Sequence, residues 1–199
     1  MRKDQLEHVI RAVGDISKVK EVIVIGSQSI HGQFPDITRK YLQAQENSLK
    51  FKFYEPLLGS MEADIIVPEN KQKTEIVDVI IGYMSNFHET YGYYVDGVDE
   101  STSKLPEGWR ERLFQIKNIN TNGITGKCLE IHDLIISKLY AGREKDMNFF
   151  NSAVNLDLLK EEVLISRLEM TSDLNQDAKQ RITESIKYIF NSKYNAKQP

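Results

Sequence analysis

Glu21-Val22-Ile23-Val24-Ile25-Gly26-Ser27 is the stretch that decides the fold. After one charge it is short, β-branched and apolar throughout, the pattern of a strand covered on both faces, and it runs straight into Gly-Ser. Upstream, Leu6, Ile10, Val13 and Ile16 recur at three- and four-residue spacing, which predicts an amphipathic helix stopping near Lys18. Downstream, Gln28 to Pro35 reads as one or two helical turns ended by proline. Met61 to Val67 alternates and then turns fully apolar, a second strand, which Pro68 ends. Thr74 to Met84, with Ile76, Val77, Ile80 and Ile81 on one side, predicts a covering helix. Tyr91 to Val95 and Leu113 to Ile116 complete a set of about four strands. From Ile131 onward the pattern is helical almost without pause, and the last six or so residues are expected to fray. Thr38 to Leu58 has weak periodicity and receives no element. The expected class is α/β (α+β): a small mixed sheet flanked by helices over residues 1–128, then a helical region over 129–199 that caps it.

Composition narrows the function. The 199 residues are 28% charged and 40% hydrophobic with 11 Gly and 5 Pro, an ordinary globular balance. With 26 Lys+Arg against 29 Asp+Glu the net charge is −3, so general coating of nucleic acid is excluded without a local basic strip. Lone Cys128 forms no internal disulfide or Cys-rich zinc site and reads as a small core residue. No segment has the apolar length of a membrane span or a signal peptide, so a soluble, cytoplasmic protein is expected.

Three places carry polar residues that packing does not require. Gly26-Ser27 follows a buried strand and opens a helix, where unpaired N–H groups, a hydroxyl and a Cβ-free backbone suit a phosphate; a plain turn capped by Ser uses the same pair. In Glu62-Ala63-Asp64, residues two apart on a strand point the same way, about 6.6 Å apart along the chain. Both carboxylates then share a face and can converge on a divalent cation, or lie solvated on an edge strand. In His132 to Asp146, one continuous helix would stack Lys138 and Lys145 on a face with Asp146 alongside, a row fit for a triphosphate, unless Gly142 breaks it. A solvated face of Glu and Lys pairs is the plainer account of that run.

The order strand, Gly-Ser, helix, Glu-x-Asp strand, basic helix resembles the nucleotidyltransferase superfamily related to DNA polymerase β. Val-Ile-Gly-Ser-Gln-Ser-Ile (24 to 30), Ser-Met-Glu-Ala-Asp (60 to 64), Phe-His-Glu-Thr-Tyr-Gly-Tyr-Tyr (87 to 94), Leu-Pro-Glu-Gly-Trp-Arg-Glu-Arg-Leu (105 to 113), His-Asp-Leu-Ile-Ile-Ser-Lys-Leu (132 to 139) and Ala-Gly-Arg-Glu-Lys-Asp (141 to 146) carry the resemblance further. They are similar to an uncharacterised bacterial nucleotidyltransferase family whose nearest described relatives are AbiEii-type toxins.

That resemblance implies a metal-dependent nucleotidyltransferase moving a nucleotidyl group from a nucleoside triphosphate to an RNA, such as tRNA, or a protein acceptor, as part of a toxin–antitoxin or phage-defence system with an antitoxin partner. Gly26 and Ser27 would bind phosphates, Glu62 and Asp64 would hold Mg2+ or Mn2+, and Lys138 with Arg143 and Lys145 would stabilise the triphosphate. Asp146 would orient a basic side chain or the acceptor. A third metal carboxylate would be Glu89 or Asp96, and Arg110 and Arg112 would extend a basic strip toward RNA. His31 and His132 need no special role. The superfamily usually has Asp at both carboxylate positions, so Glu62 departs from it, and Thr38 to Leu58 is long for the family and would lie near the site entrance. A non-catalytic nucleotide-binding regulatory or antitoxin-like module on the same fold is the other compatible class.

Overall fold

A computed structural model describes residues 1–44, 48–68 and 71–196. The deciding stretch is strand β1 (Glu21–Val24), with its last three residues buried. It joins four others, β2 (Glu62–Ile66), β3 (Tyr94–Gly97), β4 (Phe114–Ile116) and β5 (Thr125–Cys128), in the order β3-β2-β1-β5-β4. Pairing is parallel between β1 and β5 and between β2 and β3, and antiparallel at β1–β2 and β4–β5, so the sheet is mixed.

Alternation along β1 sends Val22 and Val24 to one face and Ile23 and Ile25 to the other, and each face has its own core. Helix α1 (Lys3–Ser17) covers the first face with Leu6, Val9, Ile10 and Val13, all fully buried. It ends where expected: Lys18 turns left-handed at φ 57° and its N–H closes on the Gly14 carbonyl. Ile23, Ile25 and Ile66 on the second face pack with Ile135, Ile136, Phe150, Leu164 and Ile186 from α7 (Ile131–Ala141), α8 (Glu144–Asn155), α9 (Glu161–Glu169) and α10 (Gln176–Ala196). The expected fraying lies partly on 197–199, outside the described residues; residues 194–196 are helical.

Several expectations need correction. The unassigned Thr38 to Leu58 holds two helices, α3 (Ile37–Ala44) and α4 (Ser48–Leu58), with residues 45–47 outside the described residues. The sheet has five strands, since Thr125-Gly126-Lys127-Cys128 forms β5 despite lacking an apolar run. Its centre is Gly126, where any Cβ would strike Ile10, so close packing against α1 selects this strand and side-chain hydrophobicity does not. The Tyr-rich strand begins only at Tyr94, because Asn86–Tyr91 is a short helix, α6. The Ser85 hydroxyl caps its start and Gly92, at φ 74°, ends it. After Ser27 the chain makes a 3-10 turn (Ser27–Ser29) and a single α-turn, α2 (Ile30–Gln33), a short helix with little dipole to offer an anion. Finally, α5 (Lys71–Ile81) buries Val77 and Ile81, whereas Ile76, Val79 and Ile80 stay about half exposed or more, so the four apolar positions occupy two stripes rather than one. Among the described residues no helix is long and apolar enough to cross a membrane.

His31 on α2 is fully buried, with Nε2 3.1 Å from the Met1 carbonyl oxygen that accepts its proton. Burial pushes its imidazole down from 6.5 to about 4. The folded state therefore binds fewer protons than the unfolded one between those values, and stability present above pH 6.5 is lost as pH falls toward 4, by roughly 3 kcal/mol. Urea unfolding at stepped pH should show this loss, and His31→Gln should flatten that part of the slope. An unchanged slope in the variant would assign it to other groups.

Candidate active site

Strand geometry assembles the acidic centre. Because Ala63 and Ile65 point to the α1 side, Glu62 and Asp64 point together to the other. The parallel register then sets Tyr94 beside Glu62 and Asp96 beside Asp64. One carboxylate oxygen from each of Glu62, Asp64 and Asp96 lies within 4.8 Å of the others, the one such group of potential metal ligands among the described residues. Asp96, not Glu89, is thus the third acid; Glu89 is exposed on α6.

The three charges disturb one another. Burial, then the neighbouring Glu62 and Asp96, raise the Asp64 carboxyl to about 6 against the opposing pull of Lys138 and Lys145. Asp96 is raised likewise by burial, Glu62 and Asp78. Glu62 has one oxygen tied down: the Tyr94 hydroxyl donates to Oε2 at 3.0 Å. Burial and that bond push the Tyr94 phenol up to about 12, so it stays a donor. Tyr94 is itself held against the rings of Tyr83 and His88, 5.2 and 4.7 Å away, which also touch each other. Nothing in the sequence singles Tyr94 out, because its partnership with Glu62 exists only through the β2–β3 register.

Gly26 sits behind Asp64. A Cβ at position 26 would overlap the Asp64 carboxylate, so the missing side chain makes room for an acid of the protein itself. The turn is braced by Gln28, whose amide donates to the Ser60 carbonyl at 3.0 Å.

The basic side is built across a helix break. Gly142, left-handed at φ 65°, ends α7, so Lys138 and Lys145 do not stack on one continuous helix as expected. The bend instead brings Asp146, on the first turn of α8, against Lys138 and Arg143. The Lys138 ammonium donates to Oδ1 at 2.9 Å and the Arg143 guanidinium to Oδ2 at 2.7 Å, while Asp146 is fully buried. Although burial raises it, Arg143 and Lys138 together hold the Asp146 carboxyl below its usual range. Lys138 also lies 4.7 Å over the Phe149 ring.

An open cavity of about 360 Å³ collects these groups: Ser27, Glu62, Asp64, Asp96, Lys138, Arg143 and Lys145 all line it, with Glu55 and Gly59 of the α4 end on its rim. Gly26 and Asp146 stand behind this lining. Arg110 and Arg112 do not join it. Arg110 stacks on Trp109 and pairs with Glu100, and Arg112 clasps buried Asp133 at 2.8 Å. His132 is structural, its Nδ1 donating to Glu130 at 2.6 Å and its Nε2 accepting from the Lys160 N–H at 3.0 Å. Cys128 is fully buried in the α1-side core.

A mixed sheet whose adjacent strands hold an acidic cluster facing basic side chains and a Gly-Ser turn is a scaffold of the nucleotidyltransferase kind. The chain belongs to the family described as "Nucleotidyltransferase of unknown function (DUF6036)", whose model matches residues 4–197. No curated protein and no solved structure matches it.

Removing the shared counter-charge should leave Lys138, only 13% exposed, without its partner. Asp146→Ala is expected to cost about 3 kcal/mol of unfolding free energy, read from urea denaturation. A loss below about 1 kcal/mol would mean that Asp146 does not hold the α7–α8 corner together.

Proposed function

We propose that the protein transfers a nucleotidyl group from a nucleoside triphosphate to an acceptor hydroxyl, releasing pyrophosphate. The observation that carries this reading is the convergence of Glu62, Asp64 and Asp96 within 4.8 Å, in a cavity that Lys138, Arg143 and Lys145 also line. Three hard oxygen donors on a rigid sheet suit Mg2+ or Mn2+, and the burial and mutual repulsion that raise Asp64 are costs a divalent cation would relieve. Glu62, Asp64 and Asp96 would hold that ion, which when bound neutralises phosphate charge.

The chain's own groups divide the remaining work. Lys138, Arg143 and Lys145 bind the triphosphate and offset the charge that grows on the departing pyrophosphate, and the Ser27 hydroxyl donates to a phosphate oxygen. Asp146 fixes where Lys138 and Arg143 point, and Gly26 keeps space for Asp64. Tyr94 takes one oxygen of Glu62, which limits where the longer glutamate arm directs the other. As the acceptor hydroxyl's oxygen bonds to the α-phosphorus and gives up its proton to water, the bond from that phosphorus to the α–β bridging oxygen breaks and this oxygen leaves with pyrophosphate; positioning and electrostatics account for the rate with no covalent enzyme intermediate. Residues 1–128 contribute the acids and residues 129–199 the cations, so neither part is a complete site alone. The resemblance to AbiEii-type toxins favours an RNA, such as tRNA, or a protein as acceptor, and a neutralising antitoxin as partner.

Incubation with labelled triphosphates, Mg2+ and total cellular RNA or protein should give labelled acceptor, and Asp64→Asn should reduce transfer on the order of 100-fold or more. No labelling of either acceptor class, unchanged by Asp64→Asn, would leave a non-catalytic module. Independently of turnover, Mn2+ binding followed by electron paramagnetic resonance should weaken about tenfold in Tyr94→Phe, because Glu62 loses its orienting bond. Equal Mn2+ affinity in the two proteins would remove Tyr94 from the site.

A further inference from the structure

The polar cavity does not end at α4. Glu55 and Gly59, which form its rim, also line a second depression of about 330 Å³ between the start of α1, α3 and the end of α4. The two spaces differ in character. The first is bounded mainly by charged side chains; the second presents Tyr41, Leu42, Leu58 and Met61 alongside Arg2 and Glu55. Leu42 and Met61 leave 48% and 45% of their surface in water although they share one concavity, an arrangement that a flat apolar ligand would relieve. Tyr41 is held by stacking on Phe51 at 5.3 Å and by the edge of Tyr54 at 6.5 Å, so this wall is pre-formed.

Two polar groups at the margin have defined roles. Gln5 Oε1 accepts the Arg2 N–H at 2.8 Å and Thr38 Oγ1 accepts the Lys3 N–H at 3.1 Å. With those oxygens engaged, the Gln5 amide protons and the Thr38 hydroxyl proton are donors there beside the Arg2 guanidinium, which Asp4 holds at 2.9 Å, and such groups suit ring nitrogens and carbonyl oxygens. The Glu55 carboxylate, which lines both spaces, is an acceptor for sugar hydroxyls at their junction.

We infer that this depression seats the nucleobase of the triphosphate whose phosphates occupy the first cavity, with the ribose crossing the Glu55 and Gly59 rim. The inference rests on the nucleotidyltransferase reading above and deepens it. It assigns the α3–α4 segment to nucleotide recognition: the helices place a firm aromatic and aliphatic surface one residue before Glu62, where Met61 leads into β2.

Equilibrium binding in the presence of Mg2+ tests it, with inorganic tripolyphosphate and a nucleoside triphosphate as the two probes. The nucleotide should bind at least about tenfold more tightly than tripolyphosphate. Leu42→Ser combined with Met61→Ser, both at exposed positions, should abolish that advantage while leaving tripolyphosphate affinity unchanged, and the retained affinity shows that the variant is folded. Leu42→Ala alone should remove part of it. Nucleotide affinity that is unchanged in the double variant overturns the inference and gives the depression to an acceptor, while the reading of the phosphate site survives. Failure of the unaltered protein to bind either probe overturns both.

Discussion

The mutual repulsion of three carboxylates held on neighbouring strands organises this molecule. Left in water, such side chains would swing apart; here Glu62 and Asp64 are fixed by the pleat of β2 and Asp96 by the parallel pairing of β3 with β2. Burial, which disfavours a charged carboxylate, and then the repulsion from Glu62 and Asp96 displace the Asp64 carboxyl to about 6. The surroundings soften that cost without removing it. Lys138 and Lys145 lower the Asp64 carboxyl's affinity for its proton, and a tyrosine hydroxyl takes up one oxygen of Glu62. What remains is an acid cluster poised for a cation, next to cations poised for an anion.

The cations themselves depend on a buried acid outside the cluster. Asp146 accepts from Lys138 and Arg143 across the Gly142 bend, so the two basic groups are aimed by one carboxylate. A lysine that paired directly with Asp64 would quench the acidic centre. Giving Lys138 its own partner keeps opposite charges on facing walls of one cavity, apart until a ligand of mixed charge bridges them. The cores on both faces of the sheet supply the rigidity this separation needs, with α1 behind the acids and α7 to α10 behind the bases.

Much of this was legible in the residues, and the failures have physical causes. Glu62 and Asp64 could be placed on one face because strand periodicity is local. Gly26-Ser27 could be placed because a buried strand ends there. Lys138 and Asp146 were candidates from their order in the chain, although their contact arises from a helix break and not from the helix stack that spacing predicts. Tyr94 was invisible, and Asp96 remained one of two choices, since both depend on which residue of β3 faces which residue of β2, a long-range register. β5 was missed because Gly126 earns its place through a close approach to Ile10, and the α3–α4 pair because its apolar residues face a ligand-sized depression as well as the core.

The β2–β3 register has a consequence for how any preparation of this protein behaves. Because Glu62, Asp64, Tyr94 and Asp96 occupy alternate positions, a slip of a single residue would drive two acids into the α1-side core and offer Ala63 and Ile65 to the cavity in their stead. So costly an arrangement has no partly competent version. In the unaltered protein, the fraction of molecules in which the three acids converge is therefore a census of correct threading, and an intermediate fraction signals a mixture of threadings.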